Sequence, residues 1–304
     1  MAGIDERKTK KIDSRNWRDI REQWIDYVPS FLSPGDPPES SIGELPSFLS
    51  AVDRLPSRQT VELVDDIPGL RPGVLHEGVF LLHKAAHIFG ASLLHVENGM
   101  CTWSVSSAYQ SAFFSAKSIL WMLGLAVVEI ENTGVYLVDV WRAPAKQGRK
   151  KKDPVVYIYN CGEIGHGQVW AFLQRTLSTT NGCEAFADQR FVQAMLDIEP
   201  ADFARQRNFL HYRNTVWQGV DLHTCIPQEK FGKVTAFDLD LNQEDFLLAI
   251  AFWLIYTGQT MLGQLAELSG SLRQEKNLVD AWLGQPFNRL YHENAGLLAS
   301  DIPA

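Results

Sequence analysis

Four long stretches of the chain repeat apolar residues at three-and-four spacing. The first runs over 75–97, where Val79, Leu82, Ala86, Phe89 and Leu93 line one side and Gly99 stops the run, a period that predicts a helix with one buried stripe. The second, Thr102 to Leu123, has no formal charge before Lys117 and ends at Gly124. Its small residues, Ser107, Ala108, Ser111, Ala112, Ser115 and Ala116, interleave with aromatics, which lets neighbouring helices approach closely on most sides. The third follows Pro200 and spans 201–217, with Phe203, Leu210 and Trp217 among its apolar residues; the fixed φ of proline suits a first helical turn. The fourth is predicted over 243–268, capped by Asn242 with Asp245 three residues on, and closed by Gly270.

Shorter elements fill the rest. Trp17, Ile20, Trp24, Ile25 and Val28 fall on one side of a helix over 14–28, with Ser14 as its cap. The chain then passes Pro34, Pro37, Pro38 and Pro46 with Gly35 and Gly43, a surface connection. A short helix near 44–54 and a strand over Val61-Glu62-Leu63-Val64 follow, and Pro68 and Pro72 close this section. After the second long helix the period drops to two. Residues 126–131 and 134–141 are β-branched runs around Asn132-Thr133-Gly134, a hairpin turn, and 154–160 supplies a third strand. Further helices are expected over 168–177, 186–197 and 274–283, with a last turn near Tyr291. The pattern predicts a mainly α protein. A four-helix up-down bundle over 75–268 is interrupted by a small antiparallel β insertion at 126–180, preceded by an N-terminal extension over 1–74 and followed by a helical tail over 269–304.

At 304 residues with 45% hydrophobic and 11% aromatic side chains, the chain has material for a sizeable core. A net charge of −8 argues against a protein that coats nucleic acid non-specifically, so any such contact must be local. One local basic run exists, Arg149-Lys150-Lys151-Lys152, at the tip between the second and third strands. Its plain reading is a solvated hairpin tip; the sharper one is phosphate contact. Cys101, Cys161, Cys183 and Cys225 lie far apart with no Cys-x-x-Cys pair, so neither a disulfide framework nor a thiolate metal site is signalled, and a reducing cytoplasm is expected. No apolar stretch follows the charges of Arg7-Lys8-Thr9-Lys10-Lys11, so no secretory signal is expected. Phe246 to Ala266 carries no formal charge and nears the length of a membrane helix, but its latter half, Thr257 to Gln264, is polar. A helix buried in the bundle is expected there, with no membrane partner.

Chemistry concentrates in one stretch. Ala204-Arg205-Gln206-Arg207-Asn208-Phe209-Leu210-His211-Tyr212-Arg213-Asn214 sets a histidine, the side chain that most readily exchanges a proton near neutral pH, among three arginines. On a regular helix Arg207, four before His211, shares its face, whereas Arg205, six before, points to another. The plain alternative is a surface helix whose arginines pair with acids such as Asp202. Elsewhere, His76, His83 and His87 fall near one helix face, but no carboxylate or cysteine follows at ligand spacing. They read as partly buried, hydrogen-bonded histidines, and no metal is expected. Gly162-Glu163-Ile164-Gly165-His166-Gly167 stands between a strand and a helix, in outline a phosphate-cradling loop. Its glycine order fits neither the dinucleotide fingerprint nor a Walker loop, so a turn into a helix is expected, and no cofactor.

Two of the long helices resemble the HEPN superfamily of helical-bundle ribonucleases and RNA-binding proteins. Ser107-Ala108-Tyr109-Gln110-Ser111-Ala112-Phe113-Phe114-Ser115-Ala116-Lys117 is similar to that family's early helix, an aromatic followed by small residues, paired aromatics and a basic residue. Arg205-Gln206, four residues and then His211 is similar to its signature of arginine, polar residue, short gap and histidine. The resemblance covers 75–125 and 186–268. It implies a cytoplasmic, metal-independent endoribonuclease that acts on RNA as a homodimer, in antiviral defence or as a toxin with an antitoxin or regulatory partner. By the same resemblance His211 carries protons and Arg205 clamps phosphate. Gln206 departs from the Asn, Asp or His usual after the arginine, while Arg207-Asn208 forms a second Arg-Asn pair, so the clamp is alternatively Arg207, with Asn208 and Tyr212 orienting the phosphate. Arg149, Lys150, Lys151, Lys152 and Arg213 are the expected RNA-contacting cations. The other outcome is a non-catalytic HEPN bundle serving dimerisation or RNA binding.

Overall fold

The structure is a computed structural model that describes residues 17–32, 55, 59–130, 134–142, 155–162, 166–179, 189–203, 205, 208 and 246–285. Over these residues the protein is mostly helical, with one small antiparallel sheet. In chain order come α1 (Trp17–Gln23), a 3₁₀ turn (Ile25–Tyr27), α2 (Val28–Phe31), β1 (Thr60–Leu63), α3 (Leu70–Glu97), α4 (Cys101–Met122), β2 (Leu125–Ile130), β3 (Gly134–Asp139), β4 (Val156–Gly162), α5 (His166–Thr179), α6 (Gln189–Leu196), α7 (Phe246–Leu268) and α8 (Ser271–Leu283). Positions 200–203, 205 and 208 are also helical. The short helix near 44–54, the turn at Asn132-Thr133, the basic run at 149–152 and the last turn near Tyr291 lie outside the described residues.

The frame is the antiparallel hairpin of α3 and α4, and its close packing follows from the small residues of α4. Ser104, Ser111, Ser115 and Ser118 are buried. Hydroxyls donate to backbone carbonyls across the helix pair: Ser92 Oγ to the Ser104 carbonyl at 2.8 Å, Ser111 Oγ to the Ala85 carbonyl at 2.8 Å, and Ser118 Oγ to the Gly78 carbonyl at 2.6 Å. At Gly78 a Cβ would stand 3.0 Å from the Met122 backbone nitrogen, so the approach there excludes any side chain. α7 packs on both helices, and a Cβ on its Gly258 would meet Leu82 Cδ1 at 2.8 Å. Among the described residues two helices, α3 and α7, have the length and hydropathy to cross a membrane, and 72% of the apolar window of α7 is buried against the rest of the protein.

The sheet runs β1-β4-β3-β2, all antiparallel, with an irregularity between Val135 and Tyr136. Three strands were expected to form this sheet; the fourth, β1, overlaps the strand expected at Val61-Glu62-Leu63-Val64 and joins them at the edge, Thr60 facing Tyr159 and Leu63 facing Val156. A four-residue strand has too little pattern to declare its partner across so long a separation. Arg71 ties the sheet to the helices. Its guanidinium is 1% exposed and donates from Nε to Asp66 Oδ2 at 2.7 Å, from Nη1 to the Val140 carbonyl, and from Nη2 to the Arg142 carbonyl at 2.6 Å. It also lies about 6 Å from the rings of Trp24 and Tyr27. Trp24 in turn donates its indole N–H to the Met122 carbonyl at 2.7 Å, which docks the N-terminal helices on the end of α4.

Element ends moved where proline and glycine are read more strictly than the chain obeys them. α3 begins at Leu70, five residues before the expected start, because Pro72 falls in the first turn, where its missing N–H has no helical partner to lose. The expected 14–28 helix breaks at Trp24 and resumes as α2 with Pro29 in its first turn.

Candidate functional site

Pro200 starts the helical turn that carries the candidate arginine. Arg205 is exposed, and its Nη1 lies 2.6 Å from Asp202 Oδ1, three residues back, in an ion pair whose geometry does not make a hydrogen bond. Asn208 is helical and exposed, one turn beyond Arg205. Arg207, His211, Tyr212 and Arg213, and the basic run Arg149, Lys150, Lys151 and Lys152, lie outside the described residues. The pairing of Arg205 with Asp202 matches the plain alternative drawn from the sequence.

What seats this turn is an aromatic stack. Phe203 is buried, and its ring lies over that of Trp170 on α5 at 4.2 Å between centroids, tilted 17°. A Cβ on Gly167 would stand 3.7 Å from the Pro200 carbonyl, so the start of α5 lies against the start of the Pro200 turn. Gln174 Nε2, one further turn along α5, donates to the Met195 and Ile198 carbonyls, both at 2.5 Å, and holds the end of α6. Trp170 also contacts Tyr109 and Phe113 of α4, at 6.4 Å each. The two stretches that carry the HEPN resemblance are therefore joined through α5, with Tyr109 at one end of the aromatic series and Phe203 at the other. Three buried polar atoms here, Gln168 Oε1, Trp170 Nε1 and Asp202 Oδ1, make no hydrogen bond.

At the head of α5 the structure assembles a pair that the sequence did not announce. The Tyr109 hydroxyl and His166 Nδ1 are 2.7 Å apart. The His166 ring lies over Phe113 at 4.5 Å, tilted 17°, and near-parallel to Tyr109 at 5.8 Å. Tyr109 is 1% exposed whereas His166 is exposed. From the sequence, Gly162–Gly167 is expected as a turn into a helix and Tyr109 as one aromatic of the HEPN-like helix. The available signal was the four-residue spacing of Tyr109 and Phe113, matched by that of His166 and Trp170, which gives each helix an aromatic edge.

Two further histidines of α3, His83 and His87, face α8. His87 stacks on Trp282 at 4.5 Å. His83 Nε2 lies 3.8 Å from Glu275 Oε2, too far for a hydrogen bond, while a hydrogen bond between the ring and the Glu275 backbone opposes the effect of burial. Burial pushes the His83 imidazole below its ordinary value and the Glu275 carboxyl above its own. Among the described residues no group of three His, Cys, Asp or Glu is arranged to hold a metal. Burial pushes the Cys161 thiol up to about 12, which leaves it no thiolate near neutral pH. Burial holds the ammonium of Lys117, the basic residue of the resembling helix, below its ordinary value; Lys84 adds to this while Glu129 and Glu77 oppose it.

No protein-family profile, no curated protein and no solved structure matches the chain.

Proposed function

We propose that the long helices belong to a HEPN-like four-helix up-down bundle and that the chain is a metal-independent endoribonuclease acting as a homodimer on RNA in the cytoplasm. The observation that supports this reading is the aromatic series from Tyr109 through Trp170 to Phe203, which seats the turn after Pro200 and leaves Arg205 exposed two residues later. Cleaving RNA through its own 2′-hydroxyl needs a group that moves protons and a fixed cation beside the phosphorane. Arg205 supplies a permanent positive charge with paired N–H donors; Asp202 steadies it without neutralising a second, bidentate contact. His211 takes the proton from the 2′-hydroxyl, Asn208 and Tyr212 orient the phosphate, and Arg207 is the alternative clamp.

A second reading, a non-catalytic HEPN module that binds RNA or dimerises, is favoured by the same ion pair, because a guanidinium already held by a carboxylate has less to offer a phosphate. Purified protein incubated with single-stranded and structured RNA in EDTA separates the two. Cleavage that His211→Ala abolishes supports the nuclease; binding that weakens with salt and with alanine at 149–152, without turnover, supports the module. Neither cleavage nor binding overturns both.

A further inference from the structure

In-line cleavage of RNA asks for two proton transfers on opposite sides of phosphorus. The 2′-oxygen loses a proton as the O2′–P bond forms, and the 5′-oxygen gains one as the P–O5′ bond breaks, leaving a 2′,3′-cyclic phosphate and a 5′-hydroxyl. One imidazole near the attacking oxygen is poorly placed to serve the leaving oxygen on the far side. The resemblance provides one histidine per chain, His211, and the structure presents another in the same chain, beside the helical turn that carries Arg205 and Asn208.

Resting on the ribonuclease reading above, we propose that His166 is the proton donor to the leaving 5′-oxygen, held in position by Tyr109. Three observations carry this. First, the imidazole is oriented: Nδ1 meets a hydroxyl at 2.7 Å from a side chain that is itself 1% exposed, so Nε2, on the opposite edge of the ring, faces away from Tyr109. Second, a tyrosine hydroxyl both donates and accepts, so it accompanies the ring through the gain and loss of its proton without being left unpaired. Phe113 and Tyr109 meanwhile offer the ring aromatic faces, which attract an imidazolium. Third, the pair is placed: Gly167, the next residue, lies against Pro200, from which the turn with Arg205 and Asn208 starts. His166 is the catalytic residue in this scheme and Tyr109 a positioning residue.

A leaving group that needs no proton tests the assignment. RNA with sulfur in place of the bridging 5′-oxygen expels a thiolate unaided, so loss of the acid no longer matters. His166→Ala should cut single-turnover cleavage of ordinary RNA by about 100-fold or more, cleave the 5′-thio substrate at close to the parent rate, and regain activity on ordinary RNA with added imidazole. Tyr109→Phe should cut cleavage by roughly tenfold or less and displace the basic limb of the pH–rate profile without a change in KM. His166→Gln, at an exposed position, serves as the folding control through an unchanged Tm. Parent-like cleavage of ordinary RNA by His166→Ala, or an equal loss on both substrates, overturns the assignment while the nuclease reading stands. If the unsubstituted protein cleaves neither substrate, the nuclease reading fails and this inference falls with it.

Discussion

Arg71 and Arg205 carry the same guanidinium in opposite surroundings. Arg71 is buried with all three nitrogens bonded, to one carboxylate and two carbonyls on different parts of the chain. Arg205 stands in solvent with one carboxylate three residues away. A buried cation is costly unless every donor is met, and once they are met its removal strands the acceptors. An exposed cation contributes little to folding and keeps its donors for something else. Burial and bonding, more than residue type, separate an arginine that builds from one that is available to act.

The largest test of that contrast is Arg71→Ala. It should destabilise the fold by about 3–5 kcal/mol, read as a lower urea midpoint, since Asp66 and the Val140 and Arg142 carbonyls lose their donor together. Arg205→Ala should do the reverse, leaving stability within about 0.5 kcal/mol while RNA cleavage falls roughly 100-fold. A loss of stability comparable to that of Arg71→Ala would remove Arg205 from the candidate site. The smallest effect belongs to a pair between these extremes, His83 and Glu275. Because burial lowers the His83 value, its contribution is complete above pH 6.5 and is lost as pH falls from there toward the depressed value. Glu275, raised by burial, works the other way: the folded state gains stability as pH falls from that raised value toward 4.5. The two offset, so Glu275→Gln should steepen the loss of stability on acidification, a Tm difference on the order of 2 °C in thermal melts between pH 7 and 5.

Three of the four expected long helices, α3, α4 and α7, were legible because twenty or more residues of sustained period leave little room for another conformation, while most of the other, 201–217, lies outside the described residues. The hairpin of β2 and β3 was legible from its alternation, and the pairing of Arg205 with Asp202 from its spacing alone. Arg71 was not, since a charged residue beside Pro72 looks like solvated chain until the carbonyls of β3's far end are brought to it. The Tyr109–His166 pair spans 57 residues and two elements, so only the packing of α5 on α4 reveals it. Of the site read from sequence, Arg205 and Asn208 are placed on an exposed helical turn, and what the sequence lacked was the aromatic seat beneath them.

The pairing of β1 with β4 has a consequence for how the chain is made. Among the described residues β1 is an edge strand whose ladder is with β4, and Thr60 meets Tyr159 there. At roughly 5–20 residues per second on the ribosome, β1 waits on the order of 5–20 s after its own synthesis before β4 exists. During that interval Thr60–Leu63 is an unclaimed edge with Val61 and Leu63 uncovered. Its brevity and the charge of Glu62 are then its protection against pairing with a neighbouring nascent chain.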